Sequence, residues 1–129
     1  MAPTAFDKEY ILDWVDDLWK RRDKVAEELD WLYECRIDQL TKEVTRQLIQ
    51  PHLADKRRQG YEFIYTTCVQ NLDVSVKNLM GIREVVKYLC SQQPIDHPST
   101  HAHYQDLIEN AGEQQDALQK VHDLFCAGM

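Results

Sequence analysis

The sequence has few of the residues that interrupt regular secondary structure, with four glycines and four prolines among 129 residues. It also lacks any apolar run near the roughly 20 residues of a membrane-spanning helix, and its start, MAPTAFDKEY, lacks the apolar stretch of a signal peptide. Four cysteines are scattered singly without a CxxC pair, which favours free thiols over a disulfide framework. These absences predict a soluble intracellular protein in a reducing compartment, with a cytoplasmic or cytoskeletal location favoured.

Basic residues are also scarce relative to acidic ones, 15 against 22, so the net charge is -7. This balance argues against broad binding to nucleic acid phosphates. The charge varies along the chain, from -4 over residues 7–50 to +2 over residues 52–93 and -5 over residues 94–129. A basic segment between two acidic ones is typical of three elements folded together, with the middle one contacting both others.

The sequence contains none of the common motifs of catalytic sites. Glycine-rich phosphate loops, GxSxG elbows and HExxH sequences do not occur, nor does the Glu-x-x-His motif of di-iron bundles. No cysteine is paired in sequence with a plausible catalytic histidine, although a pairing in space stays open. We therefore expect a protein that is not an enzyme and that needs no cofactor.

The first third of the chain has the clearest pattern, with apolar residues in steps of three, four and seven that match one face of a helix. We predict a helix over residues of about 5–49. Thr4 and Asp7 resemble a capping box, and Pro51 marks a stop or a kink. The predicted stripe consists of Ile11, Val15, Leu18, Val25, Leu29, Leu32, Leu40, Val44 and Leu48.

The middle segment predicts a second helix over residues of about 52–92. Aromatic and β-branched residues make residues 61–78 compatible with strands, but no two-residue turn separates the runs, so a helix is favoured. Gly60 and Gly81 are costly inside a helix, which suggests a break at one and a close backbone contact at the other.

Two prolines make residues 93–99 a connector, followed by a third helix over about 100–125. The centre of this helix, ENAGEQQDA, is poorly apolar, so the helix is expected on the outside of the bundle or frayed in its middle. The predicted fold is a single all-α domain over residues 1–129: a long antiparallel helical hairpin, with coiled-coil character, completed by a third helix.

Three histidines near the connector are candidates for a metal site. His97, His101 and His103 lie within seven residues, and Asp96 or Asp106 could join them as a ligand. However, Pro98 keeps His97 out of helical conformation, and residues two apart on a helix face different directions. Polar residues at a helix start are the favoured interpretation, and a metal- or ligand-binding bundle is an alternative.

Two KRR clusters, at residues 20–22 and at Lys56, Arg57 and Arg58, are candidate contacts for an acidic partner. Clusters of this length more often form a solvated helix face than a nucleic acid contact. Tyr61, Phe63 and Tyr65 follow the second cluster, as in single-strand binders, although the helical pattern assigns Tyr61 to the core. A regulatory protein that binds nucleic acid or an acidic protein is therefore a further alternative.

The stretch EELDWLYECR places Trp31 on the charged side of the first helix. At about 100° per residue, Trp31 lies near 200° from Ile11, whereas the apolar stripe spans about 100°. Tryptophan is enriched where binding energy concentrates, so Trp31, with Trp19 as a second candidate, is predicted to contact a protein partner.

These features together predict a non-catalytic structural or adaptor subunit that binds other proteins, either as a homo-oligomer or in a multi-subunit assembly. A small acidic helical chain with one over-long helix resembles the accessory subunits of large assemblies, such as those of ciliary microtubules or respiratory complexes. That resemblance is one of general character and is not carried by a motif.

Overall fold

A computed structural model describes residues 7–92 and 97–129. The described chain forms three α-helices that pack against one another: α1 (Lys8–Thr45), α2 (Pro51–Gln92) and α3 (Pro98–Gly128). No strand occurs in the described ranges, and residues 61–78 are helical. The predicted all-α bundle, built from a long hairpin and a third helix, is confirmed.

Helix α1 begins with a cap that differs from the predicted one. The Asp7 carboxylate accepts a hydrogen bond from the Tyr10 backbone N–H at 3.1 Å, so Asp7 itself is the N-cap residue. The predicted capping box placed Asp7 three residues inside the helix, and its other member, Thr4, lies outside the described residues together with residues 5 and 6 of the predicted helix start.

The end of α1 falls at Thr45, four residues before the predicted end. Gln47 has a φ of 58°, and the N–H groups of Gln47 and Leu48 donate to the carbonyls of Val44 and Glu43 at 3.0 and 2.9 Å. This pair of bonds is a Schellman motif, which usually has glycine at the position of Gln47. Leu48 therefore lies beyond the helix and is 73% exposed, so its predicted place in the core stripe is wrong.

Helix α2 begins at Pro51, whose fixed φ and missing N–H suit the first turn of a helix. It then continues without interruption to Gln92, which overturns the predicted break near Gly60 or Gly81. Apart from the chain neighbours and the adjoining backbone of the same helix, no described atom lies within 4 Å of a Cβ placed at either glycine, so neither marks a close contact with another helix.

Helix α3 begins two residues before the predicted start. His97 is its N-cap residue, with the ring Nδ1 accepting the Ser99 N–H at 3.1 Å, and Pro98 follows as the first helical residue. Residues 98 and 99 of the predicted connector are thus helical, and its residues 93–96 lie outside the described residues. The centre of α3 is helical throughout and packs in the core through Ala111 and Gln114, which are both buried, while the other side of the helix is exposed.

The core follows a heptad pattern, with steps alternating between three and four residues in α2 and α3 and with one step of seven, from Leu18 to Val25, in α1. Helices α1 and α2 are antiparallel, since Asp16 contacts Arg83 and Asp30 contacts Tyr65. The core positions are Ile11, Val15, Leu18, Val25 and Leu29 of α1; Cys68, Leu72, Ser75, Leu79, Ile82, Val86 and Leu89 of α2; and Tyr104, Leu107, Ala111, Gln114, Leu118, Val121 and Phe125 of α3.

Helix α3 ends before the α1–α2 hairpin does. The Arg36 side chain donates from Nε to the carbonyl oxygen of Met129, which places the end of the described chain against the last third of α1. Beyond that level, within the described ranges, α1 and α2 pack only on each other, and their buried side chains are Leu40 and Ala54. We call residues 42–60 the hairpin tip. In the described ranges, no helix has the length and apolarity needed to cross a lipid bilayer.

Candidate protein-binding surfaces

Trp31 is 66% exposed and lies on the side of α1 opposite the buried stripe. Glu27 and Glu34 are its neighbours one turn before and one turn after, and both are exposed. Neither carboxylate forms an ion pair with the residues that the structure describes. We call Glu27, Trp31 and Glu34 the Trp31 face: a large apolar ring between two carboxylates that have no cationic partner among the described residues.

The backbone beneath the Trp31 face is held firmly against α2. The Tyr65 hydroxyl donates a hydrogen bond to the Asp30 carboxylate at 2.7 Å, and the Tyr65 ring stacks on Tyr33 with centroids 4.4 Å apart. This hydrogen bond, together with partial burial and nearby negative charge, raises the pKa of Tyr65 to about 12. Trp31 is therefore presented by a fixed helical scaffold.

Trp19, the second predicted partner contact, lies in a different setting. Its ring is half-buried against the core, and the Arg83 guanidinium sits 5.1 Å from the ring centroid. The same guanidinium contacts the Asp16 carboxylate at 2.6 Å. Trp19 thus contributes to the α1–α2 packing and offers less free area than Trp31, and its role in partner binding stays a prediction.

The second KRR cluster lies in the hairpin tip, where all three side chains are exposed. Arg58 pairs with Asp55 at 2.6 Å, whereas Lys56 and Arg57 form no ion pair with the described residues. Arg46, at the end of α1, is likewise exposed and without an ion pair in those ranges. Three cations at the tip are therefore available to an acidic partner.

In the first KRR cluster, residues 20–22, both arginines form contacts within the bundle. Arg21 donates to the Gln119 side-chain oxygen at 2.5 Å. Arg22 contacts Asp23 at 3.2 Å and Asp73 at 3.7 Å, which leaves Lys20 as the exposed cation of the cluster. The two clusters do not form one continuous basic surface.

Apolar side chains adjoin the free cations of the hairpin tip. Leu48 is 73% exposed and Leu53 is 44% exposed. Two shallow grooves meet at Leu48 and Ile49: one is also lined by Val44, and the other by Leu53, Glu43 and Arg57. The sequence pattern did not predict this surface. Leu48 continues the apolar spacing of α1, so it was assigned to the core of a helix that in fact ends before it.

An exposed apolar row on α2, which borders the groove between α2 and α3 at Val74 and Val85, was also missed. Phe63, Val74 and Val85 are exposed and are spaced by eleven residues, which is three helical turns. Tyr88 extends the row and is 62% exposed. The eleven-residue spacing can be read in the sequence, but the more numerous apolar residues of the α2 core made this row difficult to distinguish.

The three candidate metal-binding histidines are not brought together with a fourth ligand. His97 is engaged as the N-cap of α3, His101 is half-buried and His103 is exposed. Asp106 is exposed one turn further on, and Asp96 lies outside the described residues. Within the described ranges, no group of three or more His, Cys, Asp or Glu side chains is arranged to hold a metal ion.

Cys126 and His122, which are four residues apart in α3, lie close together in the structure. The Cys126 Sγ lies 3.7 Å from His122 Nε2, and the same nitrogen lies 3.3 Å from Glu28. A thiol–imidazole–carboxylate relay needs the thiol and the carboxylate on opposite ring nitrogens. Here the thiol is almost equidistant from the two ring nitrogens, with Nδ1 at 3.9 Å, so it forms no directed hydrogen bond to either of them.

All four cysteines are free thiols in distinct environments. Cys35 and Cys126 are exposed, whereas Cys68 is fully buried between α2 and α3, and burial raises the pKa of its thiol.

Comparison of the chain with protein-family models, curated proteins and solved structures yields no match. The candidate surfaces therefore have to be interpreted from their own chemistry.

Proposed function

We propose that the protein is a non-catalytic structural or adaptor subunit that binds other proteins, with Trp31 as the central contact. The observation that carries this proposal is a tryptophan two-thirds exposed on a helix that is fixed by the Tyr65–Asp30 hydrogen bond. A large ring on a rigid support loses little conformational entropy when a partner covers it. Glu27 and Glu34 would then select a partner with basic groups around an apolar pocket.

The role within a multi-subunit assembly is a proposal by analogy, and it accords with the elongated hairpin. A cytoplasmic or cytoskeletal location belongs to the same proposal. Its support is the pair of exposed thiols, Cys35 and Cys126, which would persist as thiols in a reducing compartment.

The Trp31→Ala variant tests this function. Tagged wild-type and variant proteins are used to capture partners from an extract of the native source, and the co-purifying proteins are quantified. We expect Trp31→Ala to lose its partners while its free energy of unfolding changes by no more than about 0.5 kcal/mol, because an exposed side chain contributes little to the fold.

Met80→Ala is the matched control, since it removes a large apolar side chain that is 51% exposed on another helix and belongs to none of the candidate surfaces. This control variant should retain the partners of the wild type. A Trp31→Ala variant that binds the same proteins as the wild type would refute the proposed contact. A large loss of melting temperature would instead assign Trp31 to the fold.

A further inference from the structure

The hairpin tip and the rest of the chain carry opposite charge. Residues 42–60 contain five Lys and Arg against two Asp and Glu, a net charge of +3 in a chain of net charge -7. Arg46, Lys56 and Arg57 have no ion pair among the described residues, and Leu48 and Leu53 are exposed between them. The tip is therefore an apolar surface bordered by unpaired cations.

The Trp31 face has the complementary arrangement. Its apolar centre is a single exposed indole ring, and its borders are the carboxylates of Glu27 and Glu34, which have no cationic partner among the described residues. A protruding ring between anions matches a grooved apolar surface between cations in shape and in charge. The two grooves that meet at Leu48 and Ile49 are open at the surface of the tip.

These two surfaces cannot meet within one molecule. Trp31 and the end of α1 at Thr45 lie on the same helix, 14 residues apart, which is roughly 20 Å along the axis. The helix is continuous between them, so the tip cannot fold back onto the Trp31 face. Contact between the two surfaces requires a second molecule.

We propose that the hairpin tip of one copy of this protein binds the Trp31 face of a second copy. The indole ring of Trp31 enters the groove beside Leu48 and Leu53, and Lys56 and Arg57 face Glu27 and Glu34. This inference rests on the proposed function of Trp31 as a protein contact, and it names the partner.

The composition of the tip favours a protein surface over a lipid or nucleic acid phosphate. Glu43 lines the same groove as Arg57, and Asp55 neutralises Arg58, so the cations form a pattern and not a uniform field. A surface of repeated phosphates would meet both carboxylates unfavourably. A protein face with an apolar ring between two carboxylates matches both the exposed leucines and the unpaired cations of the tip.

The proposed contact uses two different patches, so a single contact is head to tail unless a two-fold axis lets both copies form it at once. Each copy has one tip and one Trp31 face, and joining them leaves a free tip at one end and a free face at the other. Unless the rotation closes a ring, such contacts build an open chain of molecules. Association should therefore grow with protein concentration and weaken with salt, because both borders of the contact are exposed charges.

A mixing experiment tests this arrangement by sedimentation velocity. The face variant, Trp31→Ala, keeps an intact tip, and the tip variant, Lys56→Glu with Arg57→Glu, keeps an intact Trp31 face. We expect the mean mass of the wild type to rise between about 5 and about 500 µM protein and to fall when salt is raised from about 50 to about 500 mM. Each variant alone should associate at least roughly tenfold more weakly.

The equimolar mixture of the two variants should form dimers and nothing larger. The intact tip of the face variant binds the intact face of the tip variant, and neither partner can extend the chain. Glu27→Lys with Glu34→Lys is a second face variant, and adding these two changes to the tip variant should restore self-association by reversing both borders. Circular dichroism verifies that each variant keeps the helicity of the wild type.

The inference is overturned if the wild type stays monomeric throughout, or if the mixture of variants behaves as the sum of its components. A dimer that survives in the tip variant would indicate a symmetric contact and would also overturn it. A third outcome separates this inference from the proposed function. If Trp31→Ala loses partners from the extract while the purified wild type stays monomeric, the proposed function is supported, and only the identification of a second copy as the partner is wrong.

Discussion

Gln47 holds a backbone conformation that is unfavourable for a residue with a side chain. Its φ of 58° completes the Schellman motif that ends α1, and the left-handed region costs a non-glycine residue roughly 1 kcal/mol. This unfavourable conformation directly precedes Leu48, whose side chain is exposed to solvent.

Gln47→Gly should therefore stabilise the isolated protein by about 1 kcal/mol, because glycine adopts this φ without a Cβ clash. Urea denaturation followed by circular dichroism measures the change. Gln47→Ala is the matched control and should give no such gain, since it keeps the Cβ. A loss of stability in the glycine variant would contradict the assigned backbone conformation.

Tyr65 makes the stability of the bundle sensitive to alkaline pH. Its hydrogen bond to Asp30 exists only while the hydroxyl is protonated, and its pKa in the folded protein is about 12, against 10.0 ordinarily. A folded-state pKa above the unfolded one stabilises the protein fully below pH 10, and this contribution is lost as pH rises towards 12. The pH window of the effect thus lies between about 10 and 12.

Tyr65→Phe should remove this alkaline dependence while keeping the ring stacked on Tyr33. The variant is expected to be less stable than the wild type at pH 8, and the gap should narrow steadily above pH 10. Denaturant unfolding at a series of pH values measures the difference. A gap that stays constant up to pH 12 would mean that the Tyr65–Asp30 hydrogen bond does not form.

The contacts and burial of several single residues could not be predicted from the sequence, for physical reasons. Arg36 interrupts the predicted stripe, and only the structure shows that its side chain reaches the carbonyl of Met129, 93 residues away in sequence. Ser75 and Gln114 are polar yet buried, because their heptad positions fix them inside the bundle whatever their polarity. Trp31, by contrast, was oriented correctly because helix geometry alone determines which side it faces.

Among the helices, α2 shows how tertiary packing overrides local propensity. Gly60 and Gly81 cost about 1 kcal/mol each relative to alanine within a helix, yet the helix runs through both without a break. Residues 61–78, with their strand-like composition, are held as helix because the heptad residues from Cys68 to Leu89 are buried between α1 and α3. Periodicity predicted this correctly, and single-residue propensity did not.

Gly60→Ala and Gly81→Ala should each stabilise the protein by roughly 0.5 to 1 kcal/mol, because open space receives the new methyl group and the unfolded chain loses freedom. Thermal or urea unfolding of each variant measures the gain. Gly128→Ala is a useful contrast, since its Cβ would lie 2.5 Å from the Ile64 Cδ1 atom and that side chain would have to shift. Destabilisation by either of the first two changes would contradict a continuous α2.

At the scale of the whole molecule, the described part of the bundle has two regions of different thickness. Three helices surround the core between the N-terminal part of α1 and the level of Arg36, and two helices form the hairpin tip. The sequence predicted the long hairpin, but not where the third helix stops. That level is set by packing between α1 and α3, for which no local sequence signal exists.

Backbone amides in the hairpin tip should exchange with solvent faster than those of the three-helix region. Few apolar contacts hold the tip, so it can open without unfolding the rest of the molecule. Hydrogen–deuterium exchange with mass spectrometry compares peptides from residues 42–60 with peptides from residues 68–89. Equal protection in both regions would show that the tip unfolds only together with the core.

The separation of charge between the hairpin tip and the remainder of the chain gives the molecule a permanent electric dipole with its positive pole at the tip. An anionic surface such as bare mica would then attract one pole and repel the other. Molecules adsorbed there would stand with the tip down, in a layer whose height reflects the length of the bundle. A cationic surface would reverse them and leave every tip pointing into solution.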